Sequence, residues 1–427
     1  MSVAGFVCAT CGTRVPVETA HPWRCPRESG DRRHVLLITP GKVTDDLGAD
    51  RDDPNPFVRF GPRMAWWSFA RSRAMSVADC VALVREIDEL LIGSSGRGFR
   101  TTPLESSPAL AEHVGSPERV WVKDETGNVG GSQKARHLMS ILLHLCASER
   151  LGAAPWSRSA DRPPLAISSC GNAAIAASTL AAAAGWPIDV FIPEWAGGNV
   201  VATLESLGAR ITRCPRRPDD PPGDPTVHRF RSAVASGSVP FSVQGPENAL
   251  CLDGGRTIGW EAAEQLLDRG VESLSALYVQ AGGGAFAACF SRGLGEGGVE
   301  APLVAVQTEG CAPLARAWEG SRGTRHHATE WSRLMTPWPT EPTSLADGIL
   351  DDETYDWVAD VDEMNRTGGR VVVAPESVVV EAAEIGPRLT GIDASPTATA
   401  GLAGWLVEAR EGRVGRDVLL AFSGVRR

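Results

Sequence analysis

The chain has 427 residues, 43% hydrophobic and 22% charged, a globular composition too apolar for wholesale disorder and too long for one core or a small disulfide scaffold. A formal charge of −10 repels a phosphate backbone, so nucleic acid is not an expected partner. No basic-then-apolar leader and no membrane-length apolar run is present, so the chain reads as cytoplasmic, with two or three domains.

The first chemistry along the chain is Cys8-x-x-Cys11 followed by Cys25, a spacing that suits a zinc ribbon except that no fourth cysteine follows Cys25. His21 and His34 are possible substitutes. The other reading is a degenerate ribbon, spanning 1–40, that folds without metal. The remaining cysteines, among them Cys80, Cys146, Cys251 and Cys289, sit singly in apolar segments and read as buried hydrophobes.

Residues 41–56, rich in Asp and Pro from 44 onward, read as a linker. A helix is expected over 76–92, with Ser76 as N-cap and Gly93 just past its end. From Val120 short apolar strands alternate with helices: strand 164–168, helix 173–184, strand 188–192, helix 200–207, strand 210–213. After a proline-rich loop at 216–225 come strand 274–280, helix 285–294, strand 303–307, a loop at 336–343, helix 397–410 and strand 418–422. Helical crossovers imply parallel pairing. The expected fold is therefore α/β, with two three-layer domains built on mostly parallel sheets. The larger is expected from 57–117 and 245–427, the smaller from 118–244.

Three turns carry chemistry. Gly282-Gly283-Gly284-Ala285 joins a strand to a helix, and successive glycines let backbone N–H groups approach an anion where the helix dipole favours it. By itself the turn reads equally as a tight strand-to-helix connection. Ser169-Cys170-Gly171-Asn172 places hydroxyl and amide groups at a helix start, suited to a carboxylate or equally to an N-cap cluster. Gly131-Ser132-Gln133-Lys134-Ala135-Arg136 puts a lysine in a first helical turn, where the dipole opposes a cation and lowers the amine's pKa toward Schiff-base chemistry. A solvated surface lysine is the alternative there.

Taken in order, these turns resemble those of the fold type II pyridoxal-phosphate enzymes, and of threonine synthase-like members in particular. The likeness opens at Gly98 to Leu104 (GFRTTPL). It continues through Lys123-Asp124-Glu125 and the Lys134 motif, the Ser169-to-Asn172 loop and the triple glycine. It then takes in Val306 to Leu314 (VQTEGCAPL) and Ala346-Asp347-Gly348-Ile349, and ends at Phe422-Ser423-Gly424.

The resemblance implies pyridoxal 5′-phosphate as cofactor, held as a Schiff base by Lys134, which then acts as acid and base at the substrate's Cα. It implies that Asn172 bonds the ring hydroxyl, that Gly282, Gly283, Gly284 and Ala285 bind the phosphate, and that Ser423 meets the ring nitrogen. Ser169, Cys170 and Gly171 are implied to receive the substrate carboxylate. The implied activity is elimination or β/γ-replacement on a small polar amino acid, in a homodimer. Threonine synthase acting on O-phosphohomoserine and a catalytically silent pyridoxal-phosphate-binding protein are the alternatives. Arg100 and Arg136 are candidates for a substrate phosphate. His137, Glu309 and Asp347 are further acid/base candidates, and Trp66, Trp67, Trp331 and Trp338 candidates to border a pocket or a subunit contact.

Overall fold

The computed structural model describes residues 2–28, 34–41, 50, 52–115, 119–221, 223–322, 324, 327–413 and 415–427. Most of the expected linker, 42–49 and 51, lies outside them. Its described end is packed rather than extended. Asp53 and Asn55 are buried, Asp53 Oδ1 accepts the Asn55 N–H at 2.8 Å, and Asn55 Oδ1 caps the short helix Pro56–Arg59.

Contacts divide the chain into two units: Met1–Thr101, Asn128–Gly130 and Lys134–Gly254 form the first; Thr102–Gly127, Gly131–Gln133 and Gly255–Arg427 form the second. This departs from the expected bounds. Residues 57–101 and 245–254 belong with Lys134, whereas 131–133 and the strand at 120–124 belong to the other unit, the strand because its pairing partner is the last strand of the chain.

In the first unit β1 (Val3–Cys8) pairs antiparallel with both β2 (Arg14–Pro16) and β3 (Leu36–Pro40). α1 (Ala65–Ser72) packs against β1, placing Trp66 and Trp67 in the core rather than at a pocket edge. α2 (Val77–Ser95) is capped as expected: Ser76 Oγ accepts the Asp79 N–H at 3.0 Å and the Asp79 carboxylate reaches back, a capping box worth about 1 kcal/mol. It runs through Gly93 and stops at Gly96, whose φ of +72° closes the left-handed end. α3 (Lys134–Arg150) packs against α2 and against α4 (Asn172–Ala183). Strands β6 (Leu165–Ser168), β7 (Ile188–Ile192), β8 (Arg210–Arg213) and β9 (Val239–Pro240) form a four-stranded parallel sheet in the order β8-β7-β6-β9. α5 (Gly198–Ser206) and α6 (Pro225–Ala235) are crossovers, and Phe230 on α6 meets Ala166, Phe191 and Cys214 in a small apolar cluster.

The second unit is built on a six-stranded sheet. Its strands are β4 (Leu104–Ser106), β5 (Val120–Asp124), β10 (Ala276–Gln280), β11 (Leu303–Thr308), β12 (Arg370–Ala374) and β13 (Val418–Phe422), in the order β12-β11-β10-β13-β5-β4. Only β4 runs antiparallel. The central strands β10 and β13 are buried at every residue because helices shield both faces of a parallel sheet. α7 (Cys251–Leu267) straddles the division at Gly254; α8 (Ala285–Glu296), α9 (Pro313–Ser321), α10 (Trp357–Thr367), α11 (Glu376–Thr390) and α12 (Ala400–Arg410) follow. Tyr278, Val306, Leu402, Trp405 and Leu420 join one core between α12 and the sheet. The α/β architecture with mostly parallel sheets is as expected.

Candidate active site

In the first unit the Ser169-to-Asn172 turn leaves β6 and opens α4. Gly171 is the N-cap and has no side chain to satisfy the first-turn N–H groups, the arrangement that receives an anion. Ser169 Oγ accepts the Gly171 N–H at 3.3 Å, and Ser168 Oγ is tied to Thr226 Oγ1 at 2.6 Å. All four turn residues are half-buried, while the alanines behind them are enclosed. Lys134 is the first residue of α3, as the sequence implies.

Two glycines fix that end of α3. Gly130, at φ +64°, would place a Cβ 3.2 Å from Ala176 Cα on α4, and Gly254 would place one 2.0 Å from the Arg136 carbonyl oxygen. Neither spot admits a side chain without moving backbone. One turn below Lys134, buried His137 donates Nδ1–H to the Cys251 carbonyl at 2.8 Å. Burial, with the neighbouring Lys134 charge adding to it, pushes its pKa down to about 3, so the ring is neutral. The expected acid/base role has no support in this setting, since the ring's one proton is committed to a carbonyl.

In the second unit β10 and β13 are adjacent and parallel, so their carboxyl ends emerge along one edge of the sheet, where such sheets bind ligands. Gln280, the last residue of β10, donates Nε2–H to Ser423 Oγ at 2.5 Å and to the Ala398 carbonyl at 3.1 Å. The Ser423 carbonyl accepts the Gln133 N–H at 2.9 Å, and Ser132 bridges to Gly424.

The glycine turn between β10 and α8 is braced from behind. Asp356 N–H donates to the Gly283 carbonyl at 2.7 Å, and Gln307 Nε2 donates to the Ala281 carbonyl at 3.0 Å. Gly284 has φ +93°, and a Cβ there would sit 2.3 Å from Asp360 Oδ2; one on Gly282 would sit 2.6 Å from Asp351 Oδ2. Complete burial, with Asp356 and Glu363 nearby, raises the Asp360 pKa well above the usual carboxyl range. A carboxyl that resists ionisation behind the turn lessens the repulsion that a bound anion would otherwise meet.

Three lysines occur in the sequence, at 42, 123 and 134, the first outside the described residues. Lys123 is wholly enclosed and spends its three protons on Glu261 Oε2 (2.9 Å), the Thr102 carbonyl (2.8 Å) and Gln265 Oε1 (2.9 Å), which fixes it as a charged ammonium. Arg100 pairs with Asp88 at 2.7 Å, and Arg136 is fully buried in α3. Glu309 accepts the Glu376 N–H at 2.8 Å and Asp347 accepts from Thr397 Oγ1 at 3.2 Å, both structural bonds. Trp331 is buried beside Trp357, whereas Trp338 is half-exposed beneath the Arg316 guanidinium.

Residues 97–424 match the family described as pyridoxal-phosphate dependent enzyme. The chain belongs to that family. This pyridoxal-phosphate enzyme is similar to a serine dehydratase-like protein of Mus musculus, 30% identical over 228 residues, 52% of this chain and 61% of that protein. It thus spans about three fifths of that curated relative. Among solved structures, maize serine racemase aligns with a TM-score of 0.60 at 16% identity, covering 81% of this chain and 95% of the other. The T.th. threonine deaminase aligns at 0.59 and 21% identity, covering 83% and 99%. At these identities the two structures share its fold.

The residues present fit pyridoxal phosphate. Gly284 caps α8 with no side chain, no acidic residue occupies that helix's first turn, and the glycine backbone is the kind of donor set a phosphate takes. Buried Ser132 Oγ and Gln133 Oε1 have no protein partner, as expected of groups beside a ligand. Sequence reasoning missed Ser132, Gln280 and Asp360. Ser132 lay inside the quoted lysine motif, while the other two are defined only by partners distant in sequence.

Proposed function

We propose that this enzyme is an ammonia-lyase of the dehydratase type, eliminating a β-substituent from a small polar amino acid, with L-serine and L-threonine the first substrates to try. The cofactor supplies an electron sink for negative charge developing at the substrate's Cα. Lys134 Nζ would hold the cofactor aldehyde and would move the proton at the substrate's Cα; Lys123, saturated by three acceptors, is unsuited to that role. Asn172 would orient the cofactor's ring oxygen, and the backbone of Gly282, Gly283, Gly284 and Ala285 would bind its phosphate. The turn at Ser169, Cys170 and Gly171 receives the substrate carboxylate at the start of α4.

The observation that carries the reaction type is the Gln280–Ser423 bond. An amide N–H pointed into Ser423 Oγ leaves the hydroxyl's own proton for another acceptor; were that the cofactor's ring nitrogen, a neutral alcohol would not keep it protonated. Such a site would make the bound cofactor a weaker electron sink and would favour loss of a β-leaving group over transamination. The dehydratase-like relative supports the same reading. The engagement of Arg100 with Asp88 weighs against the alternative that uses O-phosphohomoserine.

Purified holoenzyme incubated with L-serine, L-threonine, diaminopropionate and O-phosphohomoserine tests the proposal. Keto acid and ammonia formed together are expected. Phosphate release with threonine, D-serine without keto acid, or a spectral change with no product would each overturn it. We propose a homodimer as the working assembly, to be read by light scattering after gel filtration.

A further inference from the structure

The knuckle formed by β1 and its turn points Cys8 and Cys11 toward two residues from elsewhere in the first unit. Cys25 Sγ stands 3.6 Å from Cys11 Sγ, and His34 Nδ1 stands 3.5 Å from Cys8 Sγ. All four ligand atoms lie within 4.8 Å of one another, and among the described residues this is the group so arranged. Tetrahedral zinc with ordinary bond lengths requires sulfurs about 3.8 Å apart and a sulfur-to-nitrogen distance of about 3.5 Å. The observed spacings agree with both. The backbone is shaped for it as well: Gly12 at φ +72° returns its N–H to the Cys8 carbonyl at 2.8 Å, and the Ala9 N–H bonds the Val35 carbonyl at 2.9 Å beside His34.

We propose that Cys8, Cys11, Cys25 and His34 bind one structural Zn2+, with His34 completing the set that sequence spacing leaves one ligand short. His21, the other candidate, instead lies tilted against Trp23 at 5.3 Å and stacks on Trp156 at 6.3 Å.

The metal has a specific task. Its ligand Cys25 ends the loop that braces the helix beginning at Lys134: the Ala20 carbonyl accepts His144 Nε2–H from α3 at 2.7 Å, and Trp23 lies edge-on to the same ring at 5.9 Å. The Trp23 carbonyl accepts the Ala249 N–H at 2.9 Å, just before the Leu250 and Cys251 carbonyls that hold Ser140 and His137 of α3. Zinc therefore closes a loop that the lysine-bearing helix leans on. The site stands or falls independently of the lyase reading.

Metal analysis of the intact purified protein is the test, with thiol counting under denaturing conditions. About one zinc per chain is expected, replaceable by Co2+ with a thiolate charge-transfer band. His34→Cys is expected to retain the metal, while Cys11→Ser and His34→Ala lose it, and chelation should lower the melting temperature of the parent but not of Cys11→Ser. Protein that is metal-free and takes up no Zn2+ or Co2+ would overturn the proposal. So would a Cys11–Cys25 disulfide in the isolated chain, or a His34→Ala variant that keeps a full, equally tight zinc.

Discussion

Gln280 and Ser423 stand 143 positions apart in the chain and meet at 2.5 Å at the carboxyl ends of two neighbouring parallel strands. The amide fixes the orientation of the hydroxyl, so the pair acts as one unit. Ser423→Ala and Gln280→Leu should each lower keto-acid formation about ten- to a hundredfold, the cost of about 1.4 to 3 kcal/mol for an unpaired buried partner. The double variant should cost little more than either single one, since the second change removes nothing still in use. Additive losses in a steady-state double-mutant cycle would separate the two residues.

Lys134→Ala is expected to abolish turnover by at least about a thousandfold, as removal of a nucleophile that is also the acid/base group does. Borohydride reduction followed by peptide mass mapping should label Lys134 in the parent protein. Label on Lys123 instead would contradict the bonds that enclose it.

Acid stability follows from two buried rings. His137 and His144 are held down to about 3 and about 4, in each case chiefly by burial, against 6.5 when exposed. The unfolded chain therefore binds more protons than the folded one below 6.5, and stability is lost as pH falls through the window from 6.5 to 4. Each ring contributes a slope approaching about 1.4 kcal/mol per pH unit. Denaturant titrations from pH 7 to pH 4.5 should show this decline, and His144→Gln should flatten part of it.

Gly254→Ala puts a methyl group 2.0 Å from the Arg136 carbonyl oxygen, a backbone contact that no rotamer relieves. Destabilisation of about 3 kcal/mol or more is expected, together with impaired cofactor retention because α3 must shift. Thermal melting and the absorbance of bound cofactor read the two effects separately. Gly12→Ala, where nothing lies within 4 Å, is the contrasting control: its φ of +72° costs about 1 kcal/mol of backbone strain without a clash.

Local chemistry made much of this protein legible in its sequence. Alternating strands and helices announced parallel sheets, Ser76 and Asp79 marked a helix start, and the strands Ile188–Ile192, Arg210–Arg213 and Val418–Phe422 fall where the sequence places them. The glycine turn and Lys134 were equally readable, because a strand-to-helix turn and a helix's first residue are set by neighbours in the chain. Tertiary structure alone decided what depends on distant partners. It assigned β5 to the second unit through pairing with β13, and it enclosed Trp66, Trp67 and Trp331. It bound Lys123 to Glu261 and brought His34 rather than His21 to the cysteines. The physical reason is one of range: dihedral preference and helix dipoles act within a few residues, whereas burial, ion pairing and ligand geometry are properties of where the folded chain returns to itself.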